Sequence, residues 1–585
     1  MSGAAEAGNN VARQDVRINR PESQKMNFNF DFSMPIQDTF TITRDPNRFP
    51  VTDVISNAPT ISQPDPPRPN RLTTVYVDVQ NYIMAFLSMH DLSALMRTCR
   101  YFLDACLLPL CARSMALRYD GGLTRLPSFR QFLRINAGPS SRAHLIKEFW
   151  IAGGGTRDDK YISETRFISI REQWSAALLD VLRHCRNVRR LRIDDWFLKD
   201  ISFPLLVKTI ASSMYHLEHL TIPMPYETEV NILRRFAHLP LCSLSFLKYP
   251  NITINLHPTP ISLEWLPRSL TELDIHGCPR IDAPFPMVQK LGIRETMSET
   301  FVADATAAFP NVAHLILRRH RWAFLPNIPR SRQLLVDART RNKAQWQSKC
   351  REAWPSVSTI WAEDPSFLYA LGFSRQVSCI SIPLGTGRHG QEDYVSPVLA
   401  DTSPTFLELR VNMDNFAYSR TEWELPFGPG SSVIRLTLLL HWHIYAVTDK
   451  RRVSYILGCL NVMLPALPSL THLLVKFAPT PQNGGTVADT DWTHTSTAKT
   501  RVVHGTIQKW LRILADTSTS LRWIGYEVHG LGVKSWDIPR TGSEERPRRL
   551  KGLKMTEMSE SASLTVLRRE GMNEFRDVKS LLTVL

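Results

Sequence analysis

The sequence lacks a long hydrophobic run, and its cysteines form no pattern typical of disulfides or zinc sites. Its most apolar stretch, residues 433–447, is interrupted by Arg435 and two histidines and is shorter than the roughly 20 apolar residues of a membrane-spanning helix. Residues 1–29 lack the apolar run of a secretory signal. The nine cysteines are scattered and never spaced Cys-x-x-Cys. We therefore expect a soluble protein of the cytoplasm, the nucleus or both, with no membrane partner.

The sequence also lacks a complete catalytic or cofactor motif. The Gly-x-Gly-x-x-Gly figure at 385–390 follows a strand-like segment, but no long helix comes after it, as a dinucleotide site requires. Gly153–Gly155 lacks the Lys-Ser/Thr of a phosphate-binding loop. His441 and His443 place two imidazoles on one strand without a third metal ligand. We expect no enzymatic activity, no cofactor and no metal site.

Positive charge is abundant but not concentrated in one place. The formal net charge is +15, and a basic protein attracts nucleic acids and acidic partners. Local clusters occur at 318–321, 339–343 and 546–554, whereas the other Arg and Lys residues are spread along the chain. This distribution is typical of solvated faces and tails, so nucleic-acid binding is not favoured.

The two ends of the chain differ from its middle. Residues 1–70 are rich in Asn, Pro, Ser, Asp and Arg and hold too little apolar surface to offset the entropy of ordering, so we predict a disordered arm. Residues 538–585 are polar and basic, and we predict a mostly disordered tail. Within that tail, Leu564 and Leu567 have the spacing of a short helix, and 546–554 is either a nuclear-import signal or a solvated stretch.

Apolar side chains adopt helical spacing from residue 75 onward. A first amphipathic stripe is formed by Val79, Ile83, Phe86 and Leu87. A second stripe begins after a break at 88–91, and a third apolar stretch runs through Leu107, Leu110 and Met115. Three short helices make a small core, so we expect residues 71–118 to form a helical module that shares its apolar surface with a partner or with the next domain.

This module resembles an F-box. The residues that carry the resemblance are Ile83-Met-Ala-Phe86-Leu87, Asp91-Leu92 and Cys99-Arg100-Tyr-Phe102, whereas Val75-Tyr76 stands where the family has Leu-Pro and Asp78 replaces Glu. The resemblance implies binding to a Skp-type adaptor and, through it, to a cullin. The adaptor-binding residues that it implies are Val75, Tyr76, Val79, Ile83, Phe86, Leu87, Leu92, Leu95 and Cys99.

A six-residue figure, apolar-x-x-apolar-x-apolar, returns many times after residue 116. Copies include Val188–Ile193, Leu217–Ile222, Leu270–Ile275, Val312–Leu317, Phe406–Val411 and Leu470–Val475. The last two apolar residues of each copy alternate as in a half-buried strand. Many copies follow a Pro-Asn, Pro-Ser or Arg-Asn step, and several follow a helical stripe such as Trp174, Leu178 and Leu182. Helix, turn and short strand in series predict a solenoid, whose units bury their apolar sides against their neighbours.

The copy at 270–281 resembles the cysteine-containing subtype of leucine-rich repeat, since Leu270-x-x-Leu273-x-Ile275-x-x-Cys278 is followed by Pro-Arg-Ile. A helical module of this kind followed by such repeats resembles the F-box leucine-rich-repeat proteins of the fungal type over about residues 75–530. The resemblance implies an α/β fold. It consists of the short helical F-box-like module and an irregular leucine-rich-repeat-like solenoid, residues 119–537, with a parallel sheet on its concave face.

Residues between the apolar positions of the figure point to the opposite side of the strand, which is the concave face. Each of them is either a solvated strand position or part of a surface that binds a target protein. The candidates for target binding are Arg190, Arg192, Asp194, His219, Glu272, Asp274, His276, His314, Arg318, Glu408, Arg410 and Lys476.

Residues and resemblance together predict a substrate-recruiting adaptor of an SCF-type cullin-RING ubiquitin ligase. The module would dock a Skp-type adaptor and the repeats would hold a target protein, so that the chain acts by proximity and its partners supply the chemistry. The alternative is a leucine-rich-repeat scaffold that mediates protein interactions without a ligase, and the departure at Val75-Tyr76 favours it.

Overall fold

The structure is a computed structural model, and the predicted arm, residues 1–70, lies outside the part that it describes. The described residues are 79–80, 83–84, 87, 89–111, 115–118, 125–134, 142–152, 164–193, 202–223, 227–247, 266–275, 284–294, 301–318, 329–348, 350–384, 392–412, 431–442, 450–479, 497–528, 532–539 and 555–572.

One open sheet of 16 strands runs through this part of the chain, and every strand pairs with its neighbours in sequence. The strands are β1 Met115–Arg118, β2 Glu148–Ala152, β3 Arg190–Ile193, β4 His219–Pro223, β5 Ser243–Leu247, β6 Glu272–Ile275, β7 Lys290–Ile293, β8 His314–Leu317, β9 Thr359–Ala362, β10 Cys379–Leu384, β11 Phe406–Asn412, β12 Arg435–Trp442, β13 His472–Pro479, β14 Trp523–Val528, β15 Gly532–Asp537 and β16 Thr556–Glu557. Strands β1 to β14 are parallel, whereas β15 and β16 are antiparallel to their neighbours. This order is that of a solenoid, and it confirms the predicted α/β fold with a long parallel sheet.

The helices of the described part are α1 Met89–Met96, α2 Arg100–Cys111, α3 Arg125–Arg134, α4 Glu164–His184, α5 Phe203–Ser213, α6 Phe301–Ala308, α7 Pro329–Ser348, α8 Pro365–Leu371, α9 Glu392–Thr402, α10 Lys450–Met463, α11 Thr497–Thr517 and α12 Glu560–Arg569, with 3-10 turns at Arg142–Leu145, Glu227–Phe236 and Leu464–Ala466. Helices α3 to α11 connect the strands and pack against one face of the sheet, whereas α1 and α2 precede the sheet and α12 follows it. The described residues include no helix that is both long and apolar enough to cross a membrane.

The main core lies between α3–α11 and the side of the sheet that we call the back face. The last two apolar residues of each repeat figure point there, as Leu191 and Ile193 do on β3. The opposite side is called the front face and corresponds to the predicted concave face. One copy departs from the expected positions, because Phe406 was predicted to be buried in the solenoid interior but packs on the front face with Trp361 and Leu474.

The polar steps before the strands link neighbouring repeats. The side-chain amide of Asn187 donates to the carbonyl of His144 at 2.9 Å, and that of Asn311 donates to the carbonyl of Pro286 at 2.9 Å. The Ser269 hydroxyl donates to the Leu241 carbonyl at 3.2 Å. These bonds satisfy backbone carbonyls that the short strands leave unpaired, which explains why Asn and Ser recur in these steps.

The helical module has its own small core, formed by Met84, Leu92, Phe102, Cys106 and Leu110. Val79 and Ile83 of the first apolar stripe do not join this core, because their side chains are 46% and 47% exposed. Their helical neighbour Gln80 is buried instead, since its side-chain oxygen accepts a 2.5 Å hydrogen bond from the Tyr101 hydroxyl.

The boundary of this module differs from the prediction. The third helical stretch ends at Cys111, and Met115 begins the first strand of the sheet. Cys111 and Met115 are both buried in the main core rather than in the core of the module. The solenoid therefore begins within residues 71–118, because the alternating run Met115–Arg118 can pair with β2.

Residues 555–572, which we call the return segment, lie within the tail that was predicted to be mostly disordered. Strand β16 pairs with β15, and α12 packs on the front face next to it. The short helix expected around Leu564 and Leu567 is confirmed, whereas the disorder predicted for this part of the tail is wrong. Leu567 is fully buried, and that burial offsets the entropy cost of ordering the segment.

Candidate functional site

The front face is built from rows of residues that the strand register aligns. In parallel strands, residues at equivalent positions lie side by side. The middle row of the front face runs through Trp150, Arg192, Thr221, Ser245, Asp274, Gly292, Ile316, Trp361, Ser381, Glu408, Thr437, Leu474 and Gly525.

All of the predicted target-binding residues that the structure describes lie on the front face, and their role in target binding stays a prediction. Asp194 and His276 lie outside the described residues. Arg190 and Glu148 are exposed and form an ion pair of 3.5 Å. Arg192 is buried over the ring of Trp150, with its guanidinium carbon 4.6 Å from the ring centre.

Asp274 is the centre of a charged cluster that crosses five strands, β5 to β9. One of its oxygens, Oδ2, accepts from Arg318 Nε at 3.0 Å and Nη2 at 2.9 Å. The same oxygen accepts from the Ser245 hydroxyl at 3.2 Å and lies 3.8 Å from Arg294 Nη2. Arg318 also reaches Glu363 at 3.3 Å. Because Asp274 and Arg318 are both nearly buried, their attraction is screened far less than that of a surface pair.

Gly292 makes this cluster possible. Asp274 lies on β6 and Arg318 directly follows β8, so the carboxylate has to cross β7 to reach the guanidinium. A Cβ atom on Gly292 would lie 2.7 Å from Asp274 Oδ1. Glycine is therefore required here for the close approach of a neighbouring side chain, not for an unusual backbone angle.

Arg410 forms a second buried cationic position beside the Asp274 cluster. It crosses from β11 to β9, where its guanidinium stacks on Trp361 at 4.1 Å and donates to the Ala362 carbonyl. Burial lowers the pKa of Arg410 to about 10, while Glu408 and Glu363 act in the opposite direction. The group is still charged at neutral pH.

Burial also lowers the pKa of Arg294, with Asp274 opposing the shift. The carboxylate of Glu408, which is buried, accepts a 2.8 Å hydrogen bond from the Ser381 hydroxyl. The cluster thus presents fixed donors and acceptors of both signs on a rigid sheet. Such an arrangement suits recognition of a polar protein surface, because oriented charges discriminate between partners.

The front face at the other end of the sheet is apolar. Leu474, Trp523 and Val533 pack there against Val566 and Leu567 of the return segment. Lys476 lies at the edge of this region and forms an ion pair of 3.5 Å with Glu527. Residues predicted from one repeat pattern therefore lie in two different environments.

The predicted adaptor-binding residues also separate by position. Val79, Ile83 and Cys99 are exposed, while Leu87 and Leu95 are half-buried against the core of the module. Leu92 is fully buried in that core, so it stabilises the module and is not available for direct contact with an adaptor. The others, Val75, Tyr76 and Phe86, lie outside the described residues.

Sequence reasoning missed several residues of the charged cluster. Ser245 and Gly292 occupy the same place in the figure as Asp274, between its last two apolar residues. Trp361 occupies this place on β9, next to Ile316 of β8. Arg294 and Glu363 each directly follow the last residue of a strand, and that position would have identified them.

No group of three or more His, Cys, Asp or Glu side chains able to hold a metal occurs among the described residues. His441 is on β12, but His443 lies outside the described part, as does the glycine figure at 385–390. The expectations of no cofactor and no enzymatic activity stay predictions.

Comparison with known proteins gives little beyond this geometry. No family model matches the chain, and no curated protein matches it. The crystal structure of the leucine-rich repeat-containing protein LegL7 from Legionella pneumophila is similar over 71% of this chain and 91% of that one, with 11% sequence identity and a TM-score of 0.28. The solenoid description therefore rests on the strand order and core of this chain.

Proposed function

We propose that this chain is a non-catalytic recruiting subunit of a cullin-type ubiquitin ligase. The helical module docks a Skp-type adaptor, and the front face of the sheet holds a target protein. The chain brings the target close to ubiquitin-transferring partners, which raises the effective concentration of target lysines.

The observation that carries this proposal is the exposed apolar surface of a module with its own core. Val79 and Ile83 are nearly half exposed, and Leu108 on α2 is 55% exposed. Met84 and Leu92 fill the core beneath them. Large apolar side chains exposed on so small a module are typical of a protein interaction site.

The charges of the front face support a protein target over a nucleic acid. Arg318 is paired with Asp274 and Glu363, and Lys476 is paired with Glu527. Phosphate binding depends on cations that are free to replace counterions. Paired charges of both signs fit a polar protein surface better.

The direct test is binding of purified full-length protein to a purified Skp-type adaptor, measured by calorimetry. We expect the double variant Val79→Asp with Ile83→Asp to bind at least about tenfold more weakly, because apolar anchors at an interface contribute more than about 1 kcal/mol each. The matched control is Val462→Asp. Val462 is an exposed valine, 74% accessible, on solenoid helix α10, and its replacement should leave binding unchanged.

The second candidate function is a protein-interaction scaffold without a ligase, favoured by Val75-Tyr76 in place of Leu-Pro. Wild-type protein that does not bind the adaptor, or a double variant that binds as well as wild type, would exclude the ligase role. If the adaptor does not bind, capture of a target protein through the front face would support the scaffold role.

A further inference from the structure

The return segment covers the front face over the last strands of the sheet. Val566 and Leu567 of α12 join a cluster with Leu474, Trp523 and Val533. Leu474 and Leu567 are both fully buried. Among the described helices that follow β1, α12 packs on the front face, whereas α3 to α11 pack on the back face.

Polar bonds fix the segment along its length. The Ser563 hydroxyl lies 2.7 Å from the Ser535 hydroxyl, and both side chains are fully buried. The backbone N–H of Met558 donates to the Ser535 carbonyl at 2.9 Å. At the far end, the guanidinium of Arg435 donates to the carbonyl of Glu570. The segment is therefore seated in one defined register.

The segment has little stability of its own. Helix α12 has ten residues and β16 has two, whereas helices shorter than about 12 residues are marginal in water. The Ser559 cap, whose side chain accepts from Ala562 N–H at 3.3 Å, stabilises only the first turn. The return segment therefore folds only when it docks on the sheet. Docked elements of this kind unfold locally at a lower free energy than the core of a protein.

We infer that the return segment is an internal occupant of the target-binding face, and that this part of the face accepts in its place an amphipathic helix of the target protein. The inference rests on the proposal that targets bind the front face. The helix that fits carries a small polar residue where Ser563 lies and two adjacent apolar residues one turn later, where Val566 and Leu567 lie.

The chemistry of the uncovered face supports this choice of occupant. The segment's Val566 and Leu567 share one cluster with Leu474, Trp523 and Val533, and an apolar patch of this kind requires a cover when the segment is released. The guanidinium of Arg435 can donate to a carbonyl at the C-terminal end of a helix, which is a group left unpaired within the helix itself. A charged or extended peptide would satisfy neither feature.

The experiment compares two full-length variants of the same helix. Ser563→Glu places a charge in the buried contact with Ser535, whereas Thr565→Glu places the same charge two residues away on the exposed side of α12. The probe is a fluorescent peptide with the sequence of residues 555–572, and the readouts are its anisotropy and hydrogen exchange of the segment. We expect Ser563→Glu to lose protection in the segment and to bind the peptide at least about tenfold more tightly than wild type or Thr565→Glu.

A second variant guards against misfolding caused by the buried charge. Leu567→Ala removes a buried apolar contact of the segment and leaves every residue of the face unchanged, so it should raise peptide binding in the same direction. Unchanged protection in both variants, or a released segment with no gain in peptide binding, would overturn the inference. Adaptor binding of the same samples, which uses the helical module, reports separately whether the ligase proposal holds.

Discussion

The two ends of the front face have the same backbone and opposite chemistry. On β3 to β8, the face carries Arg192, Thr221, Ser245 and Asp274 and has no helix over it in the described part of the chain. On β13 to β15, the same face carries the apolar residues Leu474, Trp523 and Val533 beneath the return segment. Strand alternation decides which way a side chain points, but the side chain itself decides whether that face needs a cover.

The largest expected effect tests the charged end. Asp274→Asn keeps the shape of the side chain but leaves Arg318 buried without its main carboxylate, and breaking a buried pair costs about 3–5 kcal/mol of unfolding free energy. The control is Glu272→Gln on the same strand, whose 3.7 Å contact with Lys290 is partly exposed and should contribute at most about 1 kcal/mol. Urea unfolding measures both. Equal losses in the two variants would show that Asp274 is an ordinary surface charge.

The next effect compares the two ends directly. Leu473 faces the main core and Leu474 faces the return segment, and both are fully buried. Each change to Ala should cost about 2–5 kcal/mol, as expected for a buried leucine. At the charged end, Thr221→Ala on the front face should change the unfolding free energy by no more than about 0.5 kcal/mol. If Leu474→Ala were as mild as Thr221→Ala, the apolar end would be open to solvent.

The smallest effect is a pH dependence at the covered end. Burial lowers the pKa of His472, Arg435 and Arg569 lower it further, and Glu570 opposes them. The folded state therefore favours neutral His472, so stability is present above the ordinary value of about 6.5 and falls as the pH decreases below it. Hydrogen exchange of the return segment, corrected for intrinsic rates, should increase between pH 7.5 and 5.5.

His472→Gln should weaken this increase. The control is His219→Gln, because burial also lowers the pKa of His219 but this residue lies on β4, far along the sheet from the return segment. A segment that responds equally to both substitutions would indicate a global loss of stability rather than a local one.

The sequence predicted the strands because their information is local. Apolar alternation in Leu217–Ile222 or Leu470–Val475 specifies one buried side of one strand. It could not show that Asp274 and Arg318, 44 positions apart, form a pair, because that contact depends on register and on the space left by Gly292. On β11 the figure was placed two residues late, because the strand register aligns Leu407 and Leu409 with Ile380 and Ile382 of β10. A shift of two residues preserves the side of a strand, so Glu408 and Arg410 were still predicted on the correct face.

The return segment was harder to predict for a different reason. Its apolar residues are few, and their burial depends on Trp523 and Val533, which belong to a sheet assembled from the rest of the chain. The spacing of Leu564 and Leu567 predicted the helix, but a helix of this length is marginally stable alone, so the pattern did not predict that it docks. The same holds for Gln80 in the helical module, whose burial depends on the Tyr101 hydroxyl.

Because the strands are paired in sequential order, the number of strands between two residues sets their distance along the sheet. Eight strand-to-strand steps separate Asp274 on β6 from Trp523 on β14, and at about 4.8 Å per step they span about 38 Å. An extended polypeptide needs at least about 11 residues to cover that length. A single extended target segment of at least this length can therefore contact both ends of the front face, whereas a shorter segment can contact only one end.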